Sequence, residues 1–485
     1  MHPRLAFSPV AAMVPTGLLF MVLLAAAALF AADTARVVAY PYPMDYGEGP
    51  LLEQTLRLGR LDNIYRADLT SPPYTVSNYP PLYPAVLSPL ARTLGPALWY
   101  GRLLSALSMV AAAIFVGLIL TTLTGDRIAA VAGGLFLLAF PPVSYWGALY
   151  RVDALALALS LAGVWVVVRW PDARSAVPTA ALLLVAAIYT RQSYGMAAPL
   201  AAAVWTARAA SWRRALGLIG LTGALGAALF VALEIATGGG FSFNIVAANW
   251  NAYEVGSLLQ YGTDLWTLMP LTLAAAAAFV LVAPCCRVAS WWLVAPYLIA
   301  AALSGATIGK VGSNVNYLIE LGAGLALALG ALIAWVRPRR VIHAALVMLL
   351  AADLVLVVLA SPYRTVVHVR LKQREQARRL LDVVHRAPGV VLADEDMGLL
   401  PLDGRPIFLQ PFEMAQLARA GRWNQRPLLE ALERRAFAAI LIYRAPGLPL
   451  ERQRWTDQML QVIDRRYVSD ERIGLTEIYR PRPGG

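Results

Sequence analysis

Two carboxylates lie in the short stretch MDYGEG, residues 44–49, which directly follows a long apolar run. Asp45 and Glu48 are surrounded by Tyr, Pro and Gly. A carboxylate at such a place can take a proton from a reacting hydroxyl or bind a metal ion. Structural alternatives remain open: Glu48 can favour the N-terminus of a helix beginning near Pro50, and Asp45 can be an ordinary surface acid.

The composition of the chain is that of a membrane protein. Of its 485 residues, 59% are hydrophobic and 14% are charged, whereas soluble proteins carry about 25% charged residues. The net charge of +12 comes largely from Arg in short loops between apolar runs and in the last quarter of the chain, which argues against a nucleic-acid partner. The adjacent Cys285 and Cys286 have neither a disulfide pattern nor metal-ligand spacing.

Runs of roughly 20 apolar residues, the length that crosses a bilayer, predict about eleven transmembrane helices. The predicted spans are residues 11–32, 98–123, 127–147, 153–169, 176–190, 193–208, 214–237, 266–283, 289–306, 317–336 and 341–360. We therefore expect an all-α polytopic membrane domain over residues 1–360, with a long first outer loop at 33–97.

The distribution of basic loops predicts the orientation. Short loops such as TGDR, RWPDAR and RPRR carry Arg and alternate with long, less basic loops, so the basic set is expected to be cytoplasmic. The N-terminus is then cytoplasmic. After eleven spans, residues 361–485 lie outside the membrane on the opposite face.

The last quarter of the chain has the pattern of a small extracytoplasmic α/β domain. RLKQREQARRLLDVVHR and QRPLLEALERR favour helices, and GVVLAD, PIFL and FAAILIY favour short strands. Its acidic stretch LADEDMG, residues 392–398, is more typical of solvated surface than of a metal site. For this domain we expect a role in acceptor recognition or as a lid.

Charged residues that are costly near a membrane fall mainly on the predicted outer face. They are Asp45, Glu48, Arg151, Asp153, Arg191, Lys310 and Glu320. Carboxylates and cations at one face suit the handling of a phosphate, because acids take a proton or bind a metal while Arg and Lys neutralise phosphate oxygens.

Each of these residues also has a structural alternative. Asp153 can be the N-cap of the fourth span. Arg191 and Lys310 can anchor the chain by reaching lipid headgroups. Glu320 lies about one turn inside the tenth span, where a carboxylate needs a partner, and Lys310 or Arg191 would suit.

The order of these motifs resembles the GT-C superfamily of integral-membrane glycosyltransferases, especially protein O-mannosyltransferases and aminoarabinose transferases, and most of all bacterial glycosyltransferase 39-like members. The resemblance covers roughly residues 10–360. It rests on MDYGEG in the first outer loop, NYPPLYP after it, RVD at residues 151–153, TRQ at 190–192 and GKVGSNVNYLIE at 309–320.

This resemblance implies a glycosyltransferase that moves a sugar from a polyprenyl-phosphate donor to an acceptor hydroxyl, with inversion. The acceptor is an unidentified glycan, lipid or protein, and the location is a bacterial plasma membrane. The resemblance implies that Asp45 is the catalytic carboxylate, and Glu48 and Asp153 are further candidates for a catalytic role. It also implies that Arg191, Lys310 and Arg151 bind the phosphate, and the further candidates for substrate binding are Tyr79, Gln192, Asn316, Tyr317 and Glu320. The spacing of Asp45 and Glu48 departs from the adjacent acids of many members, and a divalent cation, Mg²⁺ or Mn²⁺, is a candidate cofactor.

Two other classes of protein remain open. A polytopic transporter or lipid flippase also has many spans and a few intramembrane charges. Its expected interrupted helices in two matching halves are not evident, however, and the charges cluster at one face. A scaffold or sensor with a partner-binding tail would have no need for acids and cations in separate outer loops.

Overall fold

The protein was analysed as a computed structural model, which describes residues 9–447 and 449–483. The predicted cytoplasmic N-terminus, residues 1–8, lies outside the described residues. The helices up to residue 360 are α1 Pro9–Ala39, α2 Glu48–Gly59, α3 Leu82–Leu94, α4 Trp99–Thr124, α5 Arg127–Ala139, α6 Pro141–Trp146, α7 Asp153–Arg169, α8 Ala176–Thr190, α9 Ala197–Ala209, α10 Trp212–Ala236, α11 Gly240–Ser242, α12 Val255–Leu268, α13 Pro270–Val282, α14 Trp291–Gly305, α15 Ile319–Val336 and α16 Arg340–Ala360. Short 3-10 or π turns occupy Gln192–Gly195, Phe243–Ala247, Ala306–Gly309 and Val315–Leu318.

Every predicted span overlaps one of these helices. Within the described residues, six helices are long and apolar enough to cross a membrane, or seven if the pair α12 and α13, bent by 100°, is one span. Several other predicted spans are shorter helices, and the span 127–147 is interrupted at Phe140, where Pro141 begins α6. The total of eleven crossings therefore stays a prediction.

The turn between α4 and α5 shows how sequence sets local structure. Gly125 adopts a left-handed conformation (φ +68°) that ends α4, and Asp126 accepts hydrogen bonds from the backbone N–H groups of Ile128 and Ala129 at the start of α5. Asp126 also forms an ion pair of 2.6 Å with Arg337. Two loops predicted to be cytoplasmic therefore lie at the same end of the molecule.

The C-terminal domain is an α/β unit. Its helices are α17 Pro362–Lys372, α18 Arg374–Arg386, α19 Leu399–Leu402, α20 Pro411–Arg419, α21 Arg426–Glu433, α22 Leu450–Arg454 and α23 Asp457–Arg466, and its strands are β1 Val391–Ala393, β2 Ala439–Tyr443, β3 Tyr467–Ile473 and β4 Thr476–Pro481. The sheet order is β1-β2-β4-β3, with β1 and β2 parallel and the other pairs antiparallel. The apolar helical run that includes α16 continues through α17 to Lys372, so the boundary at residue 360 stays a prediction.

One predicted strand was wrong. PIFL, residues 406–409, does not join the four-stranded sheet, because Leu409 instead pairs in parallel with Tyr74 of the first outer loop. The Tyr74 N–H donates to the Phe408 carbonyl at 2.7 Å, and the Gln410 N–H donates to the Tyr74 carbonyl at 3.0 Å. These two backbone hydrogen bonds hold the C-terminal domain against the membrane domain.

Further contacts hold the C-terminal domain directly against the first outer loop. The Ile407 N–H donates to Glu53 Oε2 and the Val76 N–H donates to Gln410 Oε1, each at 2.8 Å. Gly49 and Gly398 are in close contact, because a Cβ on Gly49 would lie 2.4 Å from the Gly398 Cα. The domain therefore covers the loop that carries Asp45.

Candidate active site

The loop that carries Asp45 is held in place by Arg102, one turn inside α4. Arg102 donates to Glu48 Oε1 at 2.8 Å and to Oε2 at 2.6 Å, and it also donates to the carbonyls of Val37, Tyr40 and Tyr42. Both side chains of the pair are fully buried. Arg102 thus ties the end of α1 to the start of α2.

All the hydrogen bonds of Glu48 are structural. Besides Arg102, its oxygens accept from the backbone N–H groups of Met44 and Tyr150, each at 2.8 Å. Burial raises the pKa of Glu48, but the charge and hydrogen bonds of Arg102 and the two N–H groups lower it more, so the net pKa lies below its ordinary value. A carboxylate with both oxygens engaged and no exposure favours the structural interpretation over the predicted catalytic one.

Asp45 is different, because only one of its oxygens is engaged. Oδ2 accepts from the Gly47 N–H at 2.8 Å and from Arg151 Nη1 at 3.3 Å. Within the described part of the chain, no hydrogen bond reaches Oδ1. The side chain is 11% exposed, and burial raises the pKa of Asp45 although Arg151 opposes that effect.

Arg151 connects Asp45 to the predicted substrate-binding Tyr79. Its Nη2 donates to the Tyr79 hydroxyl at 2.8 Å, and its guanidinium lies over the rings of Tyr79 and Trp146, 5.5 and 5.3 Å from their centroids. Its Nε lies 3.9 Å from Asp153 Oδ2. RVD and NYPPLYP, two of the motifs singled out in the sequence, therefore meet at this guanidinium.

Asp153 begins α7 but does not cap it. Its Oδ1 accepts from Arg191 and, at 3.1 Å, from the Asn316 amide, while its Oδ2 accepts from Trp146 Nε1 at 3.1 Å. Asp153 is 1% exposed. It therefore holds cations and amides in place, which favours a positioning role over the predicted catalytic one.

Arg191 is a buried member of this network. It donates to the Asn316 carbonyl at 3.3 Å, and its guanidinium lies 4.6 Å from the centroid of the Tyr317 ring. Only 3% of its side chain is exposed, so it does not reach lipid headgroups as an interfacial anchor would. TRQ and GKVGSNVNYLIE are thus brought together on Asp153.

Gln192, Lys310 and Glu320 have fewer partners. Gln192 donates to the Asn78 carbonyl at 3.0 Å. Within the described residues, no hydrogen bond or ion pair holds the Lys310 ammonium group. The predicted pairing of Glu320 with Lys310 or Arg191 was wrong, since Glu320 is 3% exposed and no described residue hydrogen-bonds to either of its oxygens.

The C-terminal domain reaches the same region through Tyr46, the neighbour of Asp45. The Tyr46 hydroxyl donates to Glu413 Oε2 at 2.7 Å and accepts from the Phe412 N–H at 3.3 Å. The Arg454 guanidinium lies 5.2 Å from the centroid of the Tyr46 ring. This contact places α20 beside the loop that carries Asp45.

The acidic stretch LADEDMG is not solvated surface, so that expectation was wrong. Asp394 is fully buried and accepts from Trp455 Nε1 at 3.1 Å. Glu395 pairs with Arg370 of α17 and, at 2.5 Å, with Arg454. Glu395 thus neutralises two arginines, one on α17 and one on α22, while Asp396 accepts a hydrogen bond from the Thr476 hydroxyl.

Solved structures match this architecture, although no protein-family model and no curated protein matches the chain. ArnT from Cupriavidus metallidurans bound to undecaprenyl phosphate gives a TM-score of 0.63 at 15% identity, covering 96% of this chain and 98% of that chain. Its apo state gives 0.61 at 14% identity with the same coverage. An Archaeoglobus fulgidus oligosaccharyltransferase complex with Zn and sulfate gives 0.52 at 11%, covering 92% and 71%. ArnT and the oligosaccharyltransferase are both GT-C superfamily members.

The chain has the GT-C fold. The fold class predicted from the sequence is confirmed: a mainly helical polytopic membrane domain with a small C-terminal α/β domain. At these identities the likeness establishes the fold, and the activity has to be argued from the site.

The metal-binding potential of this candidate site is limited in the described geometry. Across residues 9–447 and 449–483, no group of three His, Cys, Asp or Glu side chains is arranged to hold a metal ion. Glu48 and Asp153, the other two predicted catalytic acids, are each engaged by an arginine. The donor set as arranged does not fit a divalent cation, so no step below passes through one.

Sequence reasoning missed Arg102, Asn78 and Glu413. A signal existed for Arg102, because a charge one turn inside an apolar span needs a partner. None existed for Asn78 and Glu413, because their importance depends on how the C-terminal domain docks.

Proposed function

We propose that this chain is a membrane glycosyltransferase that moves a sugar from a polyprenyl-phosphate donor to an acceptor hydroxyl at the outer face of a bacterial plasma membrane. The observation that carries the proposal is Asp45, a largely buried carboxylate whose Oδ1 has no hydrogen-bond partner among the described residues, paired with the buried Arg151. Arg151 in turn lies 3.9 Å from Asp153, which pairs with the buried Arg191. The fold supports it, since an ArnT structure of this fold contains undecaprenyl phosphate.

The proposed chemistry is a single displacement at the anomeric carbon. The acceptor oxygen forms a bond to that carbon as the bond to the phosphate oxygen breaks, and the bonding electrons leave with the polyprenyl phosphate. The acceptor proton passes to Asp45 Oδ1, which is free to receive it. Attack on the face opposite the phosphate inverts the configuration of the anomeric centre.

Cations of the site would stabilise the leaving phosphate. Negative charge grows on the phosphate oxygens as the bond breaks, and arginines preorganised by Asp153 cost no rearrangement at that moment. Lys310 is suited to bind the phosphate directly, because its ammonium is not committed to a described partner. Asn316 and Tyr317 hold Arg191 in position through the carbonyl and ring contacts described above.

The isoprenoid tail would lie along the apolar membrane helices, which accounts for a transferase built from so many of them. The polar site lies at the end of the bundle opposite the Asp126–Arg337 ion pair. With the basic loops in the cytoplasm, this end is the extracytoplasmic one.

A direct test supplies the purified full chain in nanodiscs with a panel of polyprenyl-phosphate hexoses and pentoses. Asp45→Asn is expected to slow sugar transfer or release by about 10²- to 10⁴-fold, the range lost with a general base. Asp62→Asn, an exposed acid of the same loop paired with Arg60, is the matched control and should keep full activity. Equal turnover by wild type and Asp45→Asn would remove Asp45 from the mechanism.

The same preparation separates the transferase from a flippase. Reconstituted in liposomes, a flippase would carry the intact donor across the bilayer without cleaving the bond between sugar and phosphate. Donor crossing with no released or transferred sugar would contradict the transferase proposal.

A further inference from the structure

Beside the proposed base, several buried polar atoms have no partner among the described residues. They are Asn78 Oδ1, Gln192 Oε1 and Arg151 Nε. Buried polar groups are nearly always hydrogen-bonded, so a cluster of free ones calls for a molecule that binds there. Two of the three atoms are acceptors.

The orientation of both amides is set by their neighbours. Gln192 Nε2 donates to the Asn78 carbonyl, which can only accept, and this leaves Oε1 as the free atom. The Asn78 amide nitrogen lies 3.5 Å from Glu413 Oε1, which leaves Oδ1 free. The two free amide oxygens therefore require a ligand that donates hydrogen bonds, while Arg151 Nε can donate one to it.

Glu413 brings a further acceptor from the C-terminal domain. Its Oε2 accepts from the hydroxyl of Tyr46, and the one hydrogen bond to its Oε1 from another described side chain is the long contact of 3.5 Å to Asn78. Asn78 precedes Tyr79, which is hydrogen-bonded to Arg151, and Arg151 is hydrogen-bonded to Asp45. A continuous set of contacts thus connects these acceptors to the catalytic carboxylate.

Resting on the proposed function, we infer that Asn78, Gln192 and Glu413 form a subsite for the hydroxyl groups of a sugar ring. A sugar offers several O–H donors at the spacing of one ring, and the Tyr46 hydroxyl is already hydrogen-bonded to one of these acceptors, Glu413. The C-terminal domain, through Glu413, is then part of the substrate site. The sugar belongs either to the donor or to a glycan acceptor, and both present the same chemistry.

Two lipid ligands and one kinetic measurement distinguish these sources. Full-length chain in nanodiscs is titrated with bare undecaprenyl phosphate and with the polyprenyl-phosphate sugar that wild type uses, and the KM for the acceptor is measured separately. The variants are Glu413→Gln and Gln192→Met, which alter the subsite from two different segments. Glu430→Gln, an exposed acid of the same domain paired with Arg426, is the control.

If the subsite binds a sugar, the variants should bind less tightly only those ligands that contain a sugar. Each variant should weaken binding of the sugar-bearing lipid, or raise the acceptor KM, by about 10- to 100-fold, the effect of losing one or two hydrogen bonds to a buried group. Weaker binding of the sugar-bearing lipid assigns the subsite to the donor, and a raised acceptor KM assigns it to the acceptor. Binding of bare undecaprenyl phosphate should not change.

Two results would overturn the inference. If both variants match wild type in every measurement, the free atoms hold only water. If the variants weaken bare lipid binding equally, they act on the fold and not on a sugar. If wild type itself binds no polyprenyl phosphate, the proposed function fails, and binding of free monosaccharides to wild type and variants then judges the subsite alone.

Discussion

Arg102 and Glu48 lie 54 residues apart in the chain and form an ion pair joined by two hydrogen bonds, with neither side chain exposed. The guanidinium of Arg102 also binds the carbonyls of Val37, Tyr40 and Tyr42. Since Asp45 lies between Tyr42 and Glu48 in sequence, the pair fixes the backbone on both sides of the proposed base.

The main effect of breaking this ion pair should be a less stable fold, and not a direct effect on sugar transfer. Arg102→Met leaves the buried Glu48 carboxylate without its cation, and loss of one partner of a buried pair costs about 3–5 kcal/mol. We expect a clearly lower midpoint of thermal unfolding in detergent, together with lower yield. Glu48→Gln combined with Arg102→Met should recover part of that loss, because no unpaired charge stays buried. An unchanged midpoint in Arg102→Met would contradict this account.

Gly47 leaves room for Arg151. Its φ of −79° suits any residue, but a Cβ there would lie 1.4 Å from Arg151 Nη1. Gly47→Ala should therefore push the guanidinium away from Asp45 and lower kcat/KM by about 10²-fold, the effect of a misplacement near 1 Å. The midpoint of thermal unfolding should fall little. Gly217→Ala, where a Cβ meets nothing within 4 Å, is the control, and equal activity in both variants would show that Arg151 position is unimportant.

The pH dependence of transfer should report the raised pKa of Asp45. Burial favours the neutral carboxyl, and the base acts only when ionised. The value of kcat/KM should therefore fall, as pH is lowered, at a higher pH than an ordinary aspartate with a pKa of about 3.9 would require.

The positive charge of Arg151 lowers the pKa of Asp45. Removing that charge should therefore move the acidic limb of the kcat/KM profile to a higher pH. Arg151→Met is compared with Arg60→Met, an exposed arginine of the first outer loop, by pH profiles of kcat/KM on one donor. A limb that stays in place or moves to lower pH in Arg151→Met would show that Asp45 is not the titrating base.

Lys310 should contribute to phosphate binding. Lys310→Met should weaken binding of undecaprenyl phosphate by about 10- to 100-fold, because one charge-assisted contact is worth roughly 1.5–3 kcal/mol. Lys372, the other lysine of the chain, is exposed at the end of α17 and supplies the matched control, Lys372→Met. Equal binding by the two variants, measured in nanodiscs at fixed salt, would remove Lys310 from the phosphate site.

The helical architecture was largely predictable because the bilayer imposes a simple rule on sequence. Long apolar runs form helices wherever they occur, so Trp99–Thr124 and Arg340–Ala360 were predicted within a few residues. Breaks such as the 100° bend between α12 and α13 depend on tertiary packing. The amphipathic α12 was missed because its apolar and polar residues are mixed along the sequence.

Sequence reasoning identified the residues of the site better than it identified the role of each residue. Polar residues near an apolar span draw attention because they are costly there, and this identified Asp45, Arg151 and Arg191. Which carboxylate keeps a free oxygen depends on distant partners: Arg102 engages Glu48, and Asn316 with Arg191 engages Asp153. Glu413 and Asn78 meet across 335 residues, a relationship with no local signature.

Tyr46 and Glu413 meet although 367 residues separate them. Chains are made from the N-terminus, at about 5–20 residues per second, so in the proposed orientation the first outer loop would cross the membrane well before α20 has been translated. A nascent chain would therefore hold its Asp45 loop uncovered, without Glu413 beside it. Under the proposed orientation and function, a polypeptide that ended before Glu413 would lack this side of the site, and transfer from a lipid-linked sugar would begin only after α20 has crossed the membrane.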